Sequence, residues 1–117
     1  VLLDRFADST VAYQCGGRGI ASDLVTAANR LACAGVVPAL TVFLDLDPEI
    51  GLGRASARES GQLDRLESLD LGFHRRVRAS YHELARTEPS RFLVLDATLP
   101  AEVLAGTIWN EVRRRLA

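Results

Sequence analysis

The sequence predicts a parallel α/β fold, and three observations carry that prediction. Short apolar runs alternate with helical patterns along the chain, each run ends at or just before an aspartate, and the intervening segments carry apolar residues three and four apart. The buried strands are Val1 to Leu3, Leu40 to Leu46 (LTVFLDL) and Phe92 to Leu95 (FLVL), too continuously apolar for a sheet wetted on one side. Between Ile20 and Ala34, Ile20, Leu24, Ala27, Ala28 and Leu31 make one sticky helical face. Asp47, Pro48 and Glu49 open a helix reaching about Arg58: the aspartate accepts free backbone N–H groups, and proline costs nothing at the first helical position. Residues 59–64 (ESGQLD) break that pattern. A second long helix then turns Phe73, Val77, Tyr81 and Leu84 inward until Pro89 stops it. Pro100 opens the last helix, with Val103, Leu104, Ile108, Val112 and Leu116 inward and Arg113, Arg114 and Arg115 complementing the dipole at its end. Strands alternating with helices imply right-handed crossovers and a sheet covered on both faces.

At 117 residues the chain is at most one domain of ordinary size, and it is short enough to be part of one. Apolar residues make up 48% and charged residues 25%, so a packed core is expected rather than disorder. Fourteen basic residues against 15 acidic ones exclude generic affinity for nucleic acid or an acidic membrane, so any anion site must be local. All the basic residues are arginine, which suits bidentate recognition of phosphate and equally reflects genome composition. Two cysteines, Cys15 and Cys33, are too few for a disulfide framework and lack zinc-site spacing, with Cys33 expected as a small core residue. With no membrane-length apolar window and no signal-peptide pattern, a cytoplasmic protein is expected. The chain begins at Val1, inside a strand-like run that meets a charged pair after three residues.

Ligands of open α/β sheets bind at the carboxyl ends of the strands, so the residues following each run are the first candidates. Asp4 can hold a magnesium-bound water and Arg5 can clamp phosphate oxygens; the alternative is a structural ion pair. Ser9, Thr10, Tyr13 and Gln14 span about one and a half helical turns, with Ser9 and Tyr13 on one face, able to read a flat polar ring or to serve as surface positions. Gly16, Gly17 and Gly19 form no phosphate cradle, since GxxxxGK[ST] is absent and the chain has no lysine; they read as a tight turn with Arg18 as a possible tether. Arg54 and Arg58 point the same way four residues apart, and Asp64, Arg65 and Glu67 follow beyond the helix. An anion relieves such like-charge crowding, and arginines closing over a transferring phosphoryl group stabilise its charge; solvated pairing with Glu59 and Asp64 is the other reading. His74 and His82 have no triad or metal partners and read as surface residues, and Tyr81 and Trp109 fit helix packing. Asp96, Ala97 and Thr98 are either a loop before Pro100 or a wall near a nucleotide base.

In order, DRFADSTVAYQCGGRG, LTVFLDLDPEIGLGRASAR, QLDRLE and FLVLDAT closely resemble the second half of bacterial thymidylate kinases. The resemblance implies a P-loop nucleotide kinase fold and transfer of the ATP γ-phosphoryl group to dTMP, with Mg2+. It makes Asp4 the acidic residue near magnesium, acting through water, and Arg5 the arginine that binds the acceptor phosphate. Ser9, Thr10, Tyr13 and Gln14 fall on positions surrounding thymine and deoxyribose, within an acceptor segment at residues 4–19. Arg54 and Arg58 match arginines leading into a lid at about residues 54–68 and approaching the ATP phosphates and adenine. Asp64, Arg65 and Glu67 match the lid motif itself, after extra residues (ESGQ). Arg65 thus joins the catalytic arginines, Glu67 falls on the substrate side, and Asp96 to Thr98 resemble the adenine-side loop.

The phosphate-binding loop and its lysine are expected upstream of Val1, and residues 1–117 then form the C-terminal part of a single domain. A three-layer parallel sheet lacking its N-terminal strands is expected, with a strand missing between the first and second runs. The fragment alone is expected to be inactive. The family resemblance further implies a homodimer as the complete enzyme. Two rival readings are another nucleoside or nucleotide kinase of the same fold and a non-catalytic remnant that pairs with a second chain.

Overall fold

The structure is a computed structural model that describes residues 1–58 and 71–117, apart from the side chains of Ser56 and Arg58. Two strands, β1 (Thr41–Asp45) and β2 (Phe92–Asp96), pair in parallel, with Thr41 opposite Phe92 and Asp45 opposite Asp96. The connection between them includes two helices, α3 (Pro48–Arg58) and α4 (Leu71–Thr87). Asp47 opens α3 as expected: its Oδ1 accepts the Glu49 backbone N–H at 2.9 Å. The chain begins with α1 (Ala7–Thr10), which widens into a π-helical segment, Val11–Gly17, where the Arg18 N–H reaches back five residues to the Tyr13 carbonyl. Helix α2 (Ser22–Ala32) precedes β1, and α5 (Ala101–Leu116) closes the chain after Pro100.

One face of β1 is covered by α4, where the Tyr81 ring stacks on Phe43 at 4.9 Å. The π-helical segment lies along α4, and α2 packs against it and α1, with Asn29 Nδ2 donating to the Ala7 carbonyl at 3.3 Å. Ala12, Val25, Val77 and Phe92 form the buried apolar core among the described residues.

Four expectations are corrected. Val1 to Leu3 is not a strand: its residues are exposed, because the ladder among the described residues joins β1 only to β2 and leaves this run without a hydrogen-bonding neighbour. The apolar face expected on α2 points outward, with Leu31 at 85% exposure, because the helix buries its Val25 side instead. Along α5, Leu104, Ile108 and Val112 are half-buried, but Val103 and Leu116 are exposed, and Trp109 is 59% exposed rather than packed. Cys33 caps the end of α2 and is only half-buried, so it is no core residue.

The terminal arginines do more than complement the α5 dipole. Arg115 donates to the carbonyls of Ala39 (2.8 Å) and Ser90 (2.6 Å), fastening α5 to the segments that enter β1 and β2. Among the described residues no helix is long and apolar enough to cross a membrane.

Candidate active site

Helix α4 gives the site its direction. Arg78 binds Asp45, the last residue of β1, whereas Arg91, shortly after the helix ends, binds Thr41, the first. The helix therefore runs antiparallel to the strands and begins beyond their carboxyl ends. The α1 and π-helical segment runs antiparallel to α4 in turn: Ser9 meets Tyr81, and Gly17 meets Phe73 and Val77. Tyr13, edge-on to Phe73 with ring centroids 5.9 Å apart, accordingly lies toward the carboxyl edge, where ligands of such sheets bind.

Arg5 comes to the same place. Its guanidinium carbon stands 5.3 Å from the centroid of the Tyr13 ring, a cation–π arrangement that fixes the end of a long side chain. Its backbone is left-handed, with φ 67°. For a residue with a Cβ such a conformation costs about 1–3 kcal/mol, and strain of this kind concentrates at ligand clamps. Asp4 beside it is exposed.

The predicted acceptor residues are only partly gathered. Ser9 Oγ and Tyr81 Oη share a hydrogen bond of 2.6 Å, so the common face of Ser9 and Tyr13 is turned toward α4. Thr10 is exposed and Gln14 half-buried. Packing explains Gly16 and Gly17, where a Cβ would sit 2.5 Å from Ser80 Cβ and 2.4 Å from Phe73 Cε2, whereas Gly19 serves the expected turn, with φ 72° and open space around it. Arg18 stays exposed, and the tether comes from the other side, where Arg76 donates to the Gly17 carbonyl at 3.2 and 3.3 Å.

Arg54 Nη1 donates to the Ala97 carbonyl at 3.2 Å, joining α3 to the loop after β2. Asp96 Oδ1 accepts from the Thr98 amide (2.9 Å) and hydroxyl (2.6 Å), closing a small turn, and these bonds hold the Asp96 carboxyl below its ordinary range. The side chain of Arg58, together with Asp64, Arg65 and Glu67, lies outside the described residues.

Several side chains that bind the site together carried no sequence signal. Asp8 and Arg91 pair across the amino edge of the sheet, and Thr41 Oγ1 also donates to Asp8 at 2.8 Å. Asp45 receives Arg78 at 2.7 and 3.2 Å and His82 Nε2 at 3.0 Å; the Arg78 hydrogen bonds are the main reason its carboxyl is held low. His82 is thus exposed as expected, with its Nε2 beside the Asp45 carboxylate, and His74 is half-buried, edge-on to Phe73, rather than on the surface. Tyr81 was legible only as a packing residue. Burial pushes its hydroxyl up, against the pull of the Ser9 hydrogen bond.

Comparison with known proteins decides the family. The profile described as thymidylate kinase matches residues 1–108. The chain belongs to the thymidylate kinase family. Thymidylate kinase of Deinococcus radiodurans is 53% identical over 115 residues, covering 98% of this chain and 55% of that protein. The Solidesulfovibrio magneticus thymidylate kinase is 49% identical over 121 residues, covering 99% of this chain and 58% of that protein. The crystal structure of thymidylate kinase from Ehrlichia chaffeensis superimposes with a TM-score of 0.66 at 27% identity, over 95% of this chain and 48% of that one. The chain thus spans about half the length of the thymidylate kinases it matches, and its fold is the P-loop type expected, with a two-stranded parallel sheet consistent with part of a larger one.

Among the described residues no three His, Cys, Asp or Glu side chains are grouped to cage a metal ion. Magnesium, however, keeps several waters and binds through one or two carboxylates plus substrate phosphates, so an exposed carboxylate such as Asp4 is compatible with it.

Proposed function

We propose that these residues form the acceptor side and the lid entrance of an enzyme that transfers the γ-phosphoryl group of ATP to dTMP, giving dTDP and ADP. The observation that carries this reading is the Arg5 guanidinium held over Tyr13 beside Asp4, on a strained backbone and within the family's DR–S–YQ segment. The phosphate of dTMP is itself the nucleophile, so the protein has to place two anions in line and neutralise the charge that develops. Arg5 binds the acceptor phosphate. Ser9, Thr10, Tyr13, Gln14 and Glu67 border the nucleoside, with the Tyr13 ring crowding the space of a ribose 2′-hydroxyl. Arg54, Arg58 and Arg65 approach the donor phosphates, and Asp96 to Thr98 flank the adenine; the Arg54 bond to Ala97 supports that grouping. Asp4 would hold Mg2+ through a water, and the ion would offset the charge of donor and acceptor phosphates that otherwise repel each other. On the family resemblance, the complete enzyme is read as a cytoplasmic homodimer.

A coupled ADP-release assay on the full-length protein tests the reading. Turnover with dTMP of roughly 1–100 per second is expected, with dUMP, dCMP and thymidine clearly poorer. Absence of dTMP-dependent turnover, or equal use of all four acceptors, overturns it. The 117 residues contain no GxxxxGK[ST] segment and no lysine, so by themselves they should bind dTMP at most weakly and transfer no phosphoryl group.

A further inference from the structure

We propose that Tyr81 is a positioning residue of the acceptor site: its hydroxyl holds Ser9, and through the helical segment from Ser9 to Tyr13 it sets where Tyr13 and Arg5 meet the acceptor nucleotide. The proposal rests on the dTMP-kinase reading above and adds to it a residue on another element, 72 positions away from Ser9.

The argument begins with what the local backbone leaves undetermined. Helix α1 has only four residues before its ladder widens into π-helical turns, so its own hydrogen bonds fix its roll poorly. Two side chains supply the missing constraint. Asp8 binds Arg91 and Thr41 at the amino edge of the sheet, which pins one point of the segment. Ser9 is the next residue, turned about 100° around the helix axis, and it binds Tyr81. Two pins at different azimuths fix the roll. Tyr13 lies one turn beyond Ser9 on the same face, so the roll set at Ser9 sets how the Tyr13 ring meets both Phe73 and Arg5.

Tyr81 is suited to the task because it is itself immobilised. Its ring stacks on Phe43, the middle residue of β1, at 4.9 Å with 19° between the planes. Packing alone requires only the ring, whereas the 2.6 Å bond to Ser9 uses the hydroxyl. A tyrosine hydroxyl is protonated at neutral pH, and burial pushes its titration further up, so the bond is not lost by ionisation there. The line of contact thus runs from the sheet through Phe43, Tyr81 and Ser9 to Tyr13 and Arg5.

The test is a kinetic double-mutant cycle in the full-length enzyme with Tyr81→Phe, Ser9→Ala and the pair. Each single change should raise KM for dTMP about fivefold, with kcat and KM for ATP within about twofold of wild type, as expected for the loss of one hydrogen bond. The double variant should be no worse than either single one, because both remove the same bond. Unchanged KM for dTMP in both single variants, or a parallel loss toward dTMP and ATP, overturns the proposal. Should Tyr81→Phe fail to fold, Tyr81→Leu, which likewise keeps an apolar side chain without the hydroxyl, decides by the same two criteria. A wild-type enzyme that neither binds nor phosphorylates dTMP overturns the function and this proposal together, whereas normal wild-type turnover with unaffected variants overturns this proposal alone.

Discussion

Asp8 and Arg91, 83 residues apart, face each other through two hydrogen bonds of 2.8 Å, and each side chain is only 13% exposed. The pair closes the amino edge of the sheet, because Thr41 opens β1 and Arg91 immediately precedes β2. Arg91 also lies over the Phe92 ring at 4.8 Å and binds Glu88. Its Nε is buried without a hydrogen-bond partner, so the pair is held at some desolvation cost.

Breaking this pair should be among the most damaging changes outside the reacting groups. Asp8→Ala leaves a guanidinium mostly shielded from water and is expected to cost about 3 kcal/mol, read as a drop in urea midpoint at constant slope. Burial pushes the Asp8 carboxyl up, but the hydrogen bonds from Arg91 and Thr41 and the charge of Arg91 outweigh it and hold the group below the ordinary value of 3.8. A carboxylate lowered in the fold contributes stability that is present above the unfolded pKa and lost as pH falls through the folded one. Wild-type stability should therefore decline below about pH 4, and Asp8→Asn should flatten part of that decline. An acid limb equally steep in the variant argues against this assignment.

Arg5 should show opposite effects on stability and activity. Arg5→Gly removes the left-handed strain and should raise stability by up to about 1 kcal/mol. The same change removes the guanidinium and should lower kcat/KM for dTMP by about a hundredfold or more in the full-length enzyme. Thermal unfolding and steady-state kinetics on one preparation check both signs at once.

Gly17 and Gly106 form a matched contrast. Gly17→Ala drives a methyl to 2.4 Å from Phe73 Cε2, which should cost about 1–3 kcal/mol. Gly106 lies inside α5 with open space where its Cβ would be, so Gly106→Ala should stabilise by about 0.5–1 kcal/mol. Melting temperatures moving in the same direction would count against the packing explanation of the Gly16–Gly17 pair.

Arg54→Ala addresses the donor side. Loss of the bond to Ala97 should loosen the loop after β2 and raise KM for ATP severalfold, while KM for dTMP stays near wild type. A change confined to dTMP would move Arg54 to the acceptor side.

Local chemistry was legible along the chain. The Asp47–Pro48 start of α3, the span of α4 up to Pro89 and both paired strands follow from capping rules, periodicity and apolar runs, each of which acts within a few residues. The donor grouping of Arg54 with Ala97 came through resemblance rather than spacing, since the two are 43 residues apart. Asp8, Tyr81 and Asp45 were not legible as parts of one arrangement. Each looks like an ordinary polar or aromatic residue until Arg91, Ser9 or Arg78 arrives from a distant segment.

What the sequence by itself determined is the family, the order of strands and helices, and the segments that hold the candidate residues, because these depend on local patterns and ordered motifs. The tertiary structure alone decided which faces are covered. Leu31 and Trp109 satisfy helical periodicity and still lie in solvent, and Val1 to Leu3 reads as a strand and pairs with nothing among the described residues. An apolar stripe or a β-forming run states only what a segment would bury or pair. Whether it does so depends on a partner surface or a neighbouring strand, and that is a property of the assembled chain.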